Sequence, residues 1–261
     1  MPSIASAPSP ALRELAYWLF RYRRTWRGTV VISIANPLLF LTAIGLGLGR
    51  LVDDGGHLHG LTYLQFIVPG LLAAAVMQTT YVEAAGPVFT SARAGGNYRA
   101  AAATPLRPAD ILHGHLLFML VRVALTAVVF TAVGVGFGAV DPVRAPLVVL
   151  AALLIGCAFA PPVAAWAVTV TRPQLLTTML RFVIMPMFMF SGTFFAVEQM
   201  PVWLRRVVEC TPLWHGVELC RTLSTGTARP VPTVVHLLYL GALAAAGLVL
   251  ARRNYRRALH R

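Results

Sequence analysis

Six apolar stretches, each about as long as a membrane-spanning helix, recur along the whole chain. A bilayer core about 30 Å thick needs about 20 consecutive apolar residues in helical form. Only 12% of the 261 residues are charged, about half the usual share in soluble domains, and mean hydropathy is +0.71. The sequence predicts an all-α integral membrane protein, a single membrane domain over residues 1–261. The predicted spans are 29–49, 63–84, 111–137, 145–170, 175–195 and 231–250.

The net charge of +13 is explained by topology rather than by a nucleic-acid partner. Arginines concentrate in the N-terminal segment, the loop after the second span and the C-terminal segment, whereas the other loops balance arginine with acidic residues. The positive-inside rule then places both termini in the cytoplasm. We expect the protein to cross the plasma (inner) membrane several times. Arg122 and Arg181 fall inside spans near their cytoplasmic ends. We expect them to snorkel, with a role in a substrate path as the alternative.

Residues 11–27 combine apolar positions at helical spacing with arginines and interleaved Trp and Tyr. This pattern predicts an amphipathic helix at the cytoplasmic membrane surface, the alternative being a frayed start of the first span. The pair Pro161-Pro162 is expected to break or bend the fourth span. Cys210 and Cys220 could form a disulfide, but Pro212 between them disfavours the necessary approach.

The chain contains no lysine, so it cannot form the phosphate-binding loop of an ATPase, which needs one. If ATP drives this protein, another chain binds ATP and Mg²⁺, and we predict no cofactor, metal site or catalytic residue here. Ser191 and His215 raise the alternative of an intramembrane protease, but the protease motifs Gly-x-Ser-Gly and His-Glu-x-x-His are absent. A secondary, ion-coupled transporter is the other alternative. It is disfavoured because Glu83 lies only at a span edge and the remaining acidic residues lie in loops.

The loop 86–110 is the sizeable cytoplasmic loop. Its alanine-rich stretch 97–103 predicts a short helix, with Gly95-Gly96 before it and Pro105 after it. A short helix held between two long spans could pass the movement of a soluble motor to the membrane. The alternative is a solvated connector.

The segment 196–228 is too polar to span a bilayer and too apolar for an ordinary loop. It predicts short external helices at the membrane surface, separated at Pro212. In the second helix, the spacing predicts that Trp214 and Val217 lie on the apolar face, and that His215, Glu218 and Arg221 lie on the polar face. Simple interfacial anchoring by tryptophan is the alternative to a functional role.

Two segments resemble ABC-2 type export permeases, nearest to the branch of nodulation lipo-oligosaccharide and daunorubicin-resistance permeases. One is the external block that begins Ser-Gly-Thr-Phe-Phe at Ser191; the other is the loop with Tyr98, a small-residue run and Thr104-Pro105-Leu106. The loop departs from the family in lacking acidic neighbours, and His115 stands where a Glu is expected. The resemblance implies a coupling helix that contacts the ATPase through Arg93, Gly95, Gly96, Tyr98, Arg99, Thr104, Pro105 and Leu106. It also implies external re-entrant helices that form a gate with Phe194, Phe195, Trp203, Trp214 and His215.

By this resemblance, the chain is the permease subunit of an ATP-driven exporter rather than an enzyme. Its expected partners are two copies of a separate ATP-binding subunit, a second permease, identical or paralogous, and the lipid bilayer. The expected cargo is an amphipathic drug, antibiotic, lipid or glycolipid. Met185 and Phe188 lie in a Met- and Phe-rich stretch of the fifth span that suits such cargo, although ordinary packing is the favoured interpretation.

Overall fold

The architecture is entirely helical over the part of the chain that the structure describes. This computed structural model describes residues 9–24, 26–27, 38–39, 41–43, 61–93, 95–226 and 230–259. Most of the predicted first span, 29–49, lies outside these residues. The helices are α1 (Pro10–Tyr22), α2 (Tyr63–Ser91), α3 (Asn97–Ala102), α4 (Pro108–Gly136), α5 (Ala145–Ala167), α6 (Gln174–Phe190), α7 (Val202–Glu209), α8 (Pro212–Thr225) and α9 (Pro230–Leu259).

Four of these helices, α2, α4, α5 and α9, are long and apolar enough to cross a membrane. Their length and composition confirm an all-α membrane protein. Helix α6 is apolar but shorter, includes a π-helical segment over Leu180–Ile184, and ends at Phe190 rather than at the predicted residue 195. Helix α9 continues past its predicted end to Leu259 because the alanines and arginines that follow the apolar stretch favour helix. Helix α2 continues to Ser91 although Gly86 and Pro87 lie within the added turns.

Side-chain caps fix where two long helices begin. Thr62 and Gln65 form a capping box, in which the Thr62 hydroxyl accepts from the Gln65 amide at 3.3 Å. The Gln65 side chain accepts in turn from the Thr62 amide at 3.1 Å. At the start of α4, the Asp110 carboxylate accepts from the Arg107 amide at 3.1 Å. These caps satisfy backbone donors that have no partner within the helix.

Helix α5 lies at the centre of the bundle and packs against α2, α4, α8 and α9. Two glycines permit close approach. A Cβ at Gly156 would lie 2.8 Å from Val123 of α4, and a Cβ at Gly216 of α8 would lie 2.8 Å from Ile155 of α5. Small residues at such crossings allow tight helix packing in membranes, where a hydrophobic driving force between helices is lacking.

The proline pair does not break α5, which is continuous from Ala145 to Ala167 with Pro161 and Pro162 inside it. Prolines inside membrane helices are tolerated when neighbouring helices cover the freed backbone groups. Helix α9 provides this cover at Gly247, where a Cβ would lie 2.4 Å from the Pro162 ring. A break at the proline pair is therefore wrong, whereas a bend there stays a prediction.

Candidate functional site

The turn between α2 and α3 depends on its two glycines. Gly95 adopts a left-handed backbone with φ of +77°, which favours glycine. A Cβ at Gly96 would lie 2.4 Å from the Ser91 carbonyl oxygen. The turn therefore holds α3 directly against the end of α2.

Tyr98 of α3 is fully buried, with 0% of its surface exposed. Its hydroxyl contacts Nδ1 of His115 in α4 and lies 3.1 Å from the hydroxyl of Tyr255 in α9. Both partners are also fully buried. Burial raises the pKa of Tyr98 well above its usual value, so the hydroxyl stays protonated and can donate. One side chain thus joins the short helix to two long ones.

Helix α1 packs on the same place. Trp18 Nε1 donates to the Glu14 carboxylate at 2.9 Å, and Asn97 Nδ2 of α3 donates to the same oxygen at 2.6 Å. The Trp18 ring stacks on His115 with centroids 3.7 Å apart. Burial raises the pKa of Glu14, although the two donors oppose that shift. We call Glu14, Trp18, Asn97, Tyr98, His115 and Tyr255 the α3 junction.

The residues implied to contact an ATPase lie on both sides of α3. Four of them face outward: Arg93, Arg99, Thr104 and Pro105 are exposed. Gly95 is also exposed, whereas Gly96 and Leu106 are half-buried and Tyr98 is buried. The described structure therefore offers an outward surface of arginine and small residues, with Tyr98 on the inward side.

Arg122 does not snorkel. Its side chain is 5% exposed, and its Nε donates to the Glu83 carboxylate of α2 at 2.9 Å. Its Nη1 donates to the Tyr22 hydroxyl at 2.6 Å, and its guanidinium lies 4.5 Å from the Tyr22 ring centroid. Glu83 lies within α2, which continues beyond the predicted span to Ser91. The expectation that Arg122 snorkels was wrong because its partners come from helices distant in sequence.

At the opposite end of the bundle, Arg221 of α8 is buried rather than solvated. It donates to the carbonyl oxygen of Gly192 at 2.7 Å and to that of Phe66 at 3.3 Å, and it pairs with Glu218. Burial lowers the pKa of Arg221, and Glu218 opposes that shift. The assignment of Arg221 to a polar face was wrong, because backbone carbonyls and a carboxylate satisfy it inside the protein.

His215 was also assigned to the polar face, and it too is buried. Its Nδ1 lies 2.7 Å from Nδ1 of His236 in α9, and its ring stacks on Tyr239 with centroids 3.9 Å apart. One imidazole must donate and the other accept, so the bond survives one added proton but not two. The Tyr239 hydroxyl donates to the Cys210 carbonyl at 2.7 Å. We call His215, His236, Tyr239 and Trp214 the α8 cluster.

The other implied gate residues differ in exposure. Trp214 contacts both rings of the histidine pair edge-on, and its buried Nε1 has no hydrogen-bond partner in the described part of the chain. Phe194 packs edge-on against Phe188, whereas Phe195 is exposed. Trp203 of α7 is 70% exposed. The structure therefore brings Trp214 and His215 together and leaves Trp203 apart on an apolar outer face.

Both cysteines of this segment are free thiols: Cys210 is exposed and Cys220 is buried. Burial raises the pKa of Cys220 to about 12. Helix α7 ends at Glu209 and α8 begins at Pro212, where the Thr211 hydroxyl caps the helix by accepting from the Trp214 amide.

Sequence reasoning missed the partners that complete these clusters. Glu14 and His236 each carried a signal, because His236 lies among apolar neighbours and Glu14 is an acidic residue in a basic helix. Tyr255 carried none, because it lies between Asn254 and Arg256 in a polar stretch. Polar groups inside membrane helices generally pair with one another. The sequence could therefore have indicated that Glu14 and His236 need partners, although not which ones.

The fold and the two buried clusters define a polytopic helical membrane protein with short amphipathic helices at both ends of its bundle. Residues 15–223 match the sequence model of the family described as "ABC-2 type transporter". The chain therefore belongs to the ABC-2 type transporter family, and this membership implies a transport subunit rather than a catalytic enzyme.

The similar proteins agree with the resemblance read from the sequence. Nodulation protein J of Rhizobium meliloti (strain 1021) is 28% identical over 94% of this chain and 92% of its own length. Nodulation protein J of Sinorhizobium fredii is 30% identical over 83% of each chain. Daunorubicin resistance ABC transporter permease protein DrrB1 of Streptomyces coeruleorubidus is 27% identical over 98% of this chain and 89% of its own length. The nodulation and daunorubicin-resistance branch is confirmed.

Proposed function

We propose that this chain is the membrane-spanning permease subunit of an ATP-driven exporter. A separate ATP-binding subunit, present in two copies, supplies the energy, and a second permease, identical or paralogous, completes the path. Family membership supports the role of transport subunit. The observation that carries the mechanism is the burial of Tyr98 between α4 and α9.

The proposed topology has six spans, with both termini in the cytoplasm of a cell whose plasma (inner) membrane holds the protein. In this arrangement α1 is the interfacial helix, α3 is the coupling helix, and α7 and α8 are the external re-entrant helices. Support comes from the arginine distribution and from the packing of α1, α3 and the end of α9 at one end of the bundle.

Force transmission follows from the two sides of α3. A motor subunit that docks on the outward surface, at Arg93, Arg99 and Thr104, pushes on a helix whose inward side is Tyr98. Because Tyr98 is enclosed by His115 and Tyr255, α3 cannot shift without moving α4 and α9. Close-packed contacts transmit displacement in this way because interiors are poorly compressible.

The proposed cargo is amphipathic, either a drug or antibiotic or a lipid or glycolipid. The printed names of the relatives, nodulation protein J and a daunorubicin resistance permease, support export of such molecules. Met185, Met189 and Phe190 form an exposed apolar face on α6 that suits such a path or the second permease. The α8 cluster and Phe195 lie at the end of the bundle opposite α3, where an exit gate would be.

The test is a mild-detergent pull-down of the tagged protein from its native membrane, with mass spectrometry and an ATPase assay of the eluate. We expect a soluble ATPase, with or without a second six-span chain. Recovery of the chain alone, without ATPase activity, in a detergent that preserves such complexes would favour the ion-coupled secondary transporter.

One variant and a matched control make the test specific. Arg99→Glu reverses a charge on the outward surface and should reduce recovery of the ATPase. The matched control, Arg253→Glu, reverses an exposed arginine of α9 and should leave recovery unchanged. Equal loss in both variants would indicate a general charge effect and contradict docking at α3.

A further inference from the structure

An apolar groove lies between α4, α5 and α9, on the opposite face of α4 from α1. Its volume is about 450 Å³, within the range of about 300–1,000 Å³ typical of small-molecule sites. Arg122 and Leu120 lie on opposite faces of α4, because residues two positions apart in a helix are separated by about 200° around its axis. Arg122 contacts α1, whereas Leu120 lines the groove. The lining also includes Leu116, Ala160, Pro161, Ala245 and Leu248.

The groove lies inside the membrane, because its walls belong to three of the helices apolar enough to span it. Along α4 it extends from His113 to Leu120, about 10 Å, which is most of one leaflet of a core about 30 Å thick. Its walls are almost wholly apolar. An occupant must therefore present a hydrocarbon chain to it.

The end of the groove nearest the C-terminus is basic. Arg252 of α9 lies one turn beyond Leu248, and its Nη2 is 2.9 Å from His113 Nε2. Arg252 is exposed, and none of the ion pairs in the described residues includes it. Asp110, one turn before His113, is the acidic residue closest in sequence to this end. Within the described residues, the remaining guanidinium donors of Arg252 have no partner and can bind an anionic group, for which arginine has a suitable geometry.

We propose that this groove binds an anionic phospholipid of the adjacent leaflet, with one acyl chain along α4, α5 and α9 and the phosphate at Arg252. The argument is charge complementarity. An apolar slot that covers most of one leaflet ends in a cation, Arg252, at the depth of a headgroup, and Arg253 and Arg257 add positive charge beyond it. The site faces away from α1, so it is a lateral lipid site and does not depend on the export cargo.

The test is native mass spectrometry of the solubilised protein, titrated with phosphatidylglycerol or phosphatidylcholine of the same chain length. We expect the protein to bind phosphatidylglycerol more tightly than phosphatidylcholine. Arg252→Gln should lower its affinity about fivefold, the effect of one basic residue at a membrane surface, and remove the preference. Arg252→Lys should retain most of the preference for phosphatidylglycerol. The matched control Arg256→Gln, one turn further along the exposed helix, should change little.

A second variant tests the apolar part. Ala245→Phe fills the groove from an exposed position and should reduce binding of both lipids while leaving the elution volume of the protein unchanged. Equal effects of Arg252→Gln and Arg256→Gln would show a diffuse charge effect and overturn the proposal. So would displacement of the lipid by inorganic phosphate, unchanged lipid binding in Ala245→Phe, or a second copy of the chain seated in the groove.

Discussion

The buried pair of Arg122 and Glu83 allows a quantitative test of the packing. Replacing Glu83 by Leu removes the carboxylate that lies 2.9 Å from Arg122 Nε, while the Arg122 side chain stays 5% exposed. Breaking a buried ion pair by removing one partner typically costs about 3–5 kcal/mol. Tyr22 still accepts one hydrogen bond from Arg122 and still offers its ring. We therefore expect the lower end, about 3 kcal/mol of unfolding free energy.

This loss is large enough to measure by heating. In proteins of this size, 1 kcal/mol shifts Tm by about 2–4 °C, so Glu83→Leu should lower Tm by on the order of 10 °C. Aliquots heated in detergent and run on size-exclusion chromatography give the folded fraction at each temperature. Tyr22→Phe, which removes one hydrogen bond to a charged group and keeps the ring, should cost about 1.5–3 kcal/mol.

The double variant decides whether the contact is real. Arg122→Leu combined with Glu83→Leu replaces the pair by apolar groups, a change that is often close to neutral. We expect the double variant to recover most of the loss seen in Glu83→Leu. If the losses of stability in the single variants Glu83→Leu and Arg122→Leu simply add in the double variant, the two side chains are not coupled. The arrangement of α2 and α4 would then be incorrect.

Three further predictions concern the two ends of the bundle. Tyr98→Phe should retain ATPase binding but reduce transport per ATP hydrolysed by the purified complex, whereas Arg99→Glu should weaken binding itself; equal effects would contradict the two-sided interpretation of α3. A membrane-impermeant maleimide added to intact cells should label Cys210 and not Cys220, and Cys210→Ser should abolish the label; labelling only after permeabilisation would reverse the topology. Burial and a neighbouring imidazole lower the pKa of His215 to about 4, so its contribution to stability is present above about pH 6.5 and lost as pH falls toward 4. The free energy of unfolding should therefore fall at acid pH, by at most about 3 kcal/mol, and the thermal midpoint should drop less in His215→Gln than in the unchanged protein.

The presence of the long helices could be predicted from the sequence, because the length of an apolar stretch is enough to identify a span. The turn at Gly95-Gly96 and the separation at Pro212 were also predictable, because glycine and proline act locally. The burial of Tyr98 could not be predicted from the sequence. A short alanine-rich helix has no strong polar face, and which side turns inward depends on helices α4 and α9, far along the chain.

The pairing of Arg122 with Glu83 was unpredictable for a related reason. Helix α4 is apolar nearly all round, so periodicity does not show which face meets which neighbour. Arg221 and His215 were misassigned because an amphipathic pattern treats a polar side chain as solvated. Here backbone carbonyls and a second imidazole satisfy them inside the protein.

Helix α9 is the element that joins the two ends. His236 contributes to the α8 cluster and Tyr255 to the α3 junction. The two lie 19 positions apart, which corresponds to about 28 Å along the helix, nearly the thickness of the hydrocarbon core. No proline interrupts this stretch, so we expect it to move as a rigid rod. If engagement of the ATPase at α3 shifts α9, it also shifts the histidine pair. Coupling between binding equilibria is reciprocal, so protonation of that pair must change ATPase affinity by the same factor. ATPase affinity in proteoliposomes should therefore depend on pH on the α8 side alone, and His236→Gln should abolish the dependence. If the affinity for the ATPase does not change with the pH on the α8 side, the two ends of α9 act independently.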